Sequence, residues 1–239
     1  MENFMDSIKR TLIVGASSDI GSSLLNIYLQ NGHECIGTYN KTRPNNNISC
    51  KYKKLIKCDL SKINDIEKLI KFSKEYKALN ILYLPGLIDQ KSLLNNDIES
   101  IHESFNANIF AYWLLISNTI DYMKDNKYGR FLSISSIGSK FGGGENRFNY
   151  TTSKKLLEFF PRDFKNLAQH NIFINNIICG VTDTQILRKK KDETIQKRVQ
   201  LIPIKRLARP EEIALCAFNL CSEINTFQTL SNTTLAGGE

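Results

Sequence analysis

Short apolar runs alternate with longer stretches of helical spacing along most of the chain. Residues 11–14, Thr-Leu-Ile-Val, stop at Gly15 as a strand buried on both faces does. Over residues 22–31 the side chains of Leu24, Leu25, Ile27, Tyr28 and Leu29 recur at helical intervals, and Gly32 stands where a C-cap belongs. Residues 34–38, 55–58 and 80–84 read as further strands, with helical periodicity over 63–76 and a polar loop over 40–47. Beyond them the pattern predicts a long helix over about 96–123, a strand over 130–135, and a second long helix over about 151–169. A strand over 172–178 and a helix around 211–222 complete the series, with no repeat and no linker.

Strands alternating with helices predict a parallel sheet covered on both faces, because right-handed crossovers leave few other arrangements. The expected fold is α/β, a doubly wound parallel sheet, with residues 1–239 in a single domain. Ligands of such a sheet bind beyond the carboxyl ends of the strands, where the strand order reverses. Chemistry is therefore expected in the loops after strands one, four, five and six.

Composition narrows the partners. The net charge of +8 invites a nucleic-acid reading, but the lysines are scattered. The densest basic run, Arg188-Lys189-Lys190-Lys191, is short and abuts Asp192 and Glu193, so a solvated face is expected and no nucleic acid. The six cysteines form no C-x-x-C pair and several sit in apolar runs, which predicts free thiols in a reducing, cytoplasmic setting and no metal site. No apolar run approaches the roughly 20 residues that span a bilayer, so no membrane partner is expected. His33, His102 and His170 lack metal-ligand spacing and read as structural or solvated; Trp113, Leu114 and Leu115 read as core or subunit interface.

Two segments carry chemistry. Gly15-Ala-Ser-Ser-Asp-Ile-Gly21 joins the first strand to the first helix, where glycines let backbone approach a pyrophosphate and the helix offers free amides and a positive dipole end. Asp19 occupies the middle glycine position of a dinucleotide fingerprint; its side chain is expected to turn away or to accept local amides. Tyr150 and Lys154 are four residues apart and share a helix face. A phenol titrates near 10, and a neighbouring ammonium, together with the positive ring of an oxidised dinucleotide cofactor, is expected to lower that value and make Tyr150 a proton donor–acceptor.

With their surroundings these segments resemble the short-chain dehydrogenase/reductase family. Val14-Gly15 to Ile20-Gly21 is similar to its T-G-x-x-x-G-[IL]-G loop, Cys58-Asp59-Leu60 to its acidic residue after strand three, and Phe105-Asn-Ala-Asn108 to its x-V-N stretch. The strand over 129–136 ends in hydroxyls where the family keeps a catalytic serine; Ser136 fits the spacing, with Ser135 and Ser139 as rivals in register. Cys179-Gly180-Val-Thr-Asp-Thr184 resembles P-G-x-x-x-T with Cys for Pro, while Arg206 to Ala214 and Leu235-Ala-Gly-Gly238 resemble the closing motifs.

The resemblance implies a Rossmann-like domain with four catalytic residues. Tyr150 exchanges the proton, Ser136 holds the substrate oxygen, Lys154 binds the ribose and tunes Tyr150, and Asn108 supports a water relay to the lysine. The implied cofactor contacts are Gly15, Ser17, Ser18, Asp19, Ile20 and Gly21 in the loop. Asn40, Lys41, Arg43, Asp59 and Leu60 lie at the adenosine, with Gly86, Tyr150, Lys154, Gly180, Val181 and Thr184 toward the nicotinamide. No carboxylate stands in Thr38-Tyr39-Asn40-Lys41-Thr42-Arg43, which favours NADP(H) over NAD(H).

The implied activity is NADP(H)-dependent interconversion of a carbonyl and a secondary alcohol on a small molecule, sugar-linked or acyl-type, by a homodimer or homotetramer. Substrate choice is assigned to a lid over about 184–207, whose basic run can meet an anionic group. Two departures motivate an alternative, a catalytically weak nucleotide-binding scaffold. Tyr83-Leu84-Pro85-Gly86 replaces the family's N-N-A-G, and Pro161 falls inside the helix that carries Tyr150, where it should make a kink.

Overall fold

In the computed structural model, which describes residues 9–189 and 192–239, seven parallel strands form one sheet. In chain order they are β1 (Arg10–Val14), β2 (Glu34–Tyr39), β3 (Lys54–Lys57), β4 (Asn80–Tyr83), β5 (Gly129–Ser136), β6 (Ile172–Cys179) and β7 (Asn232–Leu235). Side by side they run β3-β2-β1-β4-β5-β6-β7, so the order reverses between β1 and β4. Met1 to Ile8, and Lys190 and Lys191 of the basic run, lie outside the described residues.

Why the strands read as solid apolar runs is plain from β1. Leu12 and Val14 pack into a core shared with Leu69 and Phe72 of α3 (Ile63–Tyr76) and Leu115 of α5 (Ala111–Asp125). Ile13, pointing the other way, joins Leu24 and Leu25 of α1 (Asp19–Gln30) and Ile213 and Phe218 of α9 (Pro210–Leu220). With successive side chains on opposite faces and helices over both, Thr11 to Val14 are all buried, and each large aliphatic contributes about 1.5–3 kcal/mol.

The two long helices expected from periodicity are both interrupted. The first divides into α4 (Ile98–Phe105) and α5, joined by a π turn over Asn106–Phe110 that contains Asn108. Such a turn inserts one residue into the helical ladder and is common at functional sites. The second ends early: α6 spans Phe148–Leu156, and a 3₁₀ segment, Arg162–His170, resumes with Pro161 as its N-cap. The expected kink is therefore absent, because Pro161, which lacks an N–H, starts a new segment instead of bending the old one. Residues 46–49, read partly as loop, form the short helix α2 (Asn46–Ser49), and β7 had no apolar run to announce it. The lid holds α7 (Gln185–Arg188) and α8 (Asp192–Leu201).

Cys35, Cys58, Cys179 and Cys221 are buried free thiols, whereas Cys50 is exposed. His33 is buried against Thr11 Oγ1 (2.9 Å) and Glu223 Oε2 (3.1 Å), a structural placement. Leu115 is core, Trp113 packs on the core edge, and Leu114 is exposed. Among the described residues no group of side chains is arranged to hold a metal ion, and no helix is long and apolar enough to cross a membrane.

Candidate active site

A cleft of about 590 Å³ opens beyond the carboxyl ends of the strands, at the reversal point. Its floor at one end is the glycine loop. Gly15 has φ +88°, a conformation that side chains disfavour, and a Cβ on Gly21 would lie 2.7 Å from the Gly15 carbonyl. Ser18 caps α1 in extended backbone: its Oγ accepts from Gly21 N–H and donates to Gly15 O, both at 3.0 Å. Ser17, Ser18, Asp19 and Ile20 line the cleft above the amino end of α1, where the dipole favours an anion. Gly21 is buried behind them.

Asp19 turns away from this anion site, but not to a local amide. Its Oδ2 accepts from the backbone N–H of Gln185 at 2.7 Å and its Oδ1 from the Gln185 side-chain amide at 3.4 Å, 166 positions away in sequence. At the other end of the loop, Thr38, Asn40, Lys41, Asp59 and Leu60 form the wall. Asn40 Nδ2 donates to Asp59 Oδ1, which also accepts from the Ser61 N–H and hydroxyl. Arg43 is exposed and stands outside this lining.

The reacting end combines Ser136 at the tip of β5 with Tyr150 and Lys154 one turn apart on α6. The three candidate serines separate by their partners. Ser135 is buried in the sheet, where its Oγ accepts from Asn176 Nδ2. Ser139 donates to Glu158. Ser136 accepts from Gly138 N–H at 3.2 Å and lines the cleft together with Tyr150.

Lys154 is buried and donates to the Pro85 and Ile134 carbonyls at 2.6 Å each. Burial pulls its ammonium down to about 7, with the Cys179 thiol acting weakly in the opposite sense. Burial pushes Tyr150 above the ordinary phenol value, offset in part by Ser136. The Lys154 amine, for its part, is turned toward those two backbone carbonyls.

Asn108 lies behind the cleft, fully buried. Its Oδ1 accepts from Leu87 N–H at 2.7 Å, and its Nδ2 faces Leu87 O (3.0 Å), Ser153 Oγ (2.9 Å) and Ser104 Oγ (3.3 Å). With both ends of its amide held by protein groups, the side chain clamps the Pro85–Leu87 turn. Thus the turn that replaces N-N-A-G is held from two sides, by Asn108 at Leu87 and by Lys154 at Pro85. Gly86 stands against both Tyr150 and Lys154.

Gly180 and Thr184 line the cleft, whereas Val181 lines a smaller cavity of about 160 Å³ under the lid. Sequence reasoning missed the supports: Ser104, Ser153, and Asn149, a buried amide that donates to Asp89 and exchanges bonds with Asn96. A polar residue directly before Tyr150 was the only signal available for Asn149.

Residues 15–239 match the family described as enoyl-(acyl carrier protein) reductase. The chain is 30% identical over 145 residues to the 3-oxoacyl-[acyl-carrier-protein] reductase FabG of Aquifex aeolicus, 60% of this chain and 58% of that one. It is 32% identical over 134 residues to the acetoacetyl-CoA reductase of Cupriavidus necator, 55% of this chain and 54% of that one. The matches to these two relatives thus span little more than half their length. The 3-oxoacyl-[acyl-carrier-protein] reductase MabA of Mycobacterium tuberculosis is 24% identical, with 90% of this chain and 86% of that one covered. In fold, the chain superposes with a TM-score of 0.85, at 20% identity and over 100% of its length and 98% of the other's, on a 3-oxoacyl (acyl-carrier-protein) reductase of Agrobacterium tumefaciens solved with NADP bound.

Proposed function

Since this chain belongs to the short-chain dehydrogenase/reductase family of nicotinamide-dependent oxidoreductases, we propose that it uses NADPH to reduce the keto group of a 3-oxoacyl thioester to a secondary alcohol. One observation carries the reading: Ser136, Tyr150 and Lys154, from two separate elements, meet in the cleft whose other end is the glycine loop. The loop fits a diphosphate, since Gly15 holds a positive φ and Gly21 leaves no room for a side chain against it. When bound, the dinucleotide supplies the hydride that reaches the carbonyl carbon.

The chain's own groups do the rest. Burial keeps the Tyr150 phenol protonated at neutral pH, which suits donation of its proton to the oxygen that gains charge during reduction. Ser136, already accepting from Gly138 N–H, has its own hydroxyl proton free for that same oxygen. Lys154, held on two carbonyls, is the group to meet the ribose. Pro85, Leu87, Ile88, Ile134 and Cys179 give the cleft apolar surface, which suits an acyl chain better than a sugar. Lys41 in the wall, with no carboxylate from 38 to 43, supports NADPH over NADH. Exposed Phe110, at the end of the π turn, and Leu114 on α5 support a homo-oligomer, which sedimentation measures directly.

The test is NADPH consumption with a series of acetoacetyl and longer 3-oxoacyl thioesters. Turnover is expected, faster with NADPH than NADH, and Tyr150→Phe should lower kcat by roughly 10²–10⁴-fold while NADPH still binds. Tight NADPH binding with no reduction of any thioester or ketone would replace this reading by the nucleotide-binding scaffold.

A further inference from the structure

The segment between Val181 and Ala208 is a loop closed at its base. Ala208 N–H donates to Val181 O at 3.0 Å and Asp183 N–H to Ala208 O at 2.9 Å, so its two ends are fastened to each other beside β6. Arg188 folds back on Asp183, with Nε 2.8 Å from Oδ1 and a second bond to the Asp183 carbonyl, which ties α7 to that base. Thr184, Gln185 and Lys189 then line the same cleft as Ser17, Ser18 and Asp19 of the glycine loop. Across the gap between these two walls runs the Asp19–Gln185 pair.

Asp19 is an unexpected residue at that place. It opens α1, whose free amides and dipole are the natural seat of a diphosphate, and a free carboxylate there would repel the ligand. Accepting from the Gln185 backbone and side chain turns the charge onto the opposite wall. The bond is charge-assisted and joins the first residue of α1 to the first residue of α7.

We propose that Asp19 is a latch that holds the Gln185 segment across the diphosphate end of the cleft, so that the dinucleotide enters and leaves only when this contact opens. The proposal rests on the cofactor reading above, and its consequence is kinetic. Opening the latch should speed entry and exit together, so that affinity changes less than either rate.

Two variants break the bond from opposite sides. Asp19→Ala removes the acceptor. Gln185→Pro removes the donated N–H, and proline is tolerated at the first position of a helix, with Thr184 before it extended (φ −121°, ψ 160°) as a pre-proline residue must be. In each, NADPH dissociation, followed by stopped-flow nucleotide fluorescence, should accelerate roughly tenfold. In the ligand-free protein, tryptic cleavage after Arg188 and Lys189 should accelerate as well. If Asp19 only repels the diphosphate, Asp19→Ala will slow dissociation, Gln185→Pro will not follow it, and cleavage will be unchanged; that pattern overturns the latch. If wild type fails to bind NADPH, the cofactor reading falls, and the cleavage rates still decide whether Asp19 holds the segment.

Discussion

Two buried cations sit at opposite ends of β5, and they answer the same physical problem differently. Arg130, at the amino end, is buried and lies between the rings of Tyr128 and Phe173, 4.4 and 4.0 Å from their centroids. Its guanidinium donates to the carbonyls of Gly129, Asn171, Ser222 and Asn225 and to Asn171 Oδ1. Lys154, at the carboxyl end, has two carbonyls, one of them Ile134 of the same strand, and its remaining face borders the cleft. A guanidinium keeps its charge and presents a fork of five donors, so it can be fully partnered and permanent. A partly partnered ammonium is pulled to about 7 by burial and so stays adjustable. The lesson is that residue type and partner count together separate a fully partnered cation from one with a face left to the cleft.

Exchanging either cation for methionine should break the comparison cleanly. Lys154→Met should cut kcat by roughly 10²–10⁴-fold with a smaller loss of stability than Arg130→Met, since two carbonyls lose a donor and not four, read by steady-state kinetics beside thermal unfolding. Arg130→Met should do the reverse. Carbonyls left without donors at the base of the sheet should lower unfolding free energy by about 3–5 kcal/mol in urea, with turnover per folded molecule retained. Equal effects of the two on kcat would show that the division of labour is wrong.

A third measurement sharpens it through pH. Lys154 titrates near 7 when folded and near 10.5 when unfolded, so between those values the unfolded chain carries the extra proton. Stability therefore rises with pH across that window through this group, and its penalty is fully present below about 7. Wild type should gain on Lys154→Met, by the order of a few kcal/mol, as pH goes from about 7 to about 10 in paired denaturation curves. Arg130→Met should show no such gain, because a guanidinium stays protonated throughout. The smallest effect belongs to the adenosine end: Lys41→Ala should raise the KM for NADPH several-fold and leave that for NADH unchanged. Arg43→Ala, outside the cleft lining, should raise it less.

What the chain announces by itself is whatever depends on near neighbours. Strands β1 to β6 and the glycine loop follow from apolar runs and from Gly15 and Gly21, because backbone conformation and period are local properties, whereas β7, Asn-Thr-Thr-Leu, has no such run. Tyr150 and Lys154 share a face for the same reason. Only the tertiary structure separated the three serines, since Ser135 is bound by Asn176 of β6 and Ser139 binds Glu158 beyond α6, partners that no spacing reveals. It also turned the middle-glycine aspartate toward Gln185, gave Asn108 to the Leu87 backbone, and left Lys154 on two carbonyls with the phenol pushed upward. Those outcomes depend on burial and on partners dozens of residues away, and desolvation is a property of the packed molecule, absent from any stretch of its sequence.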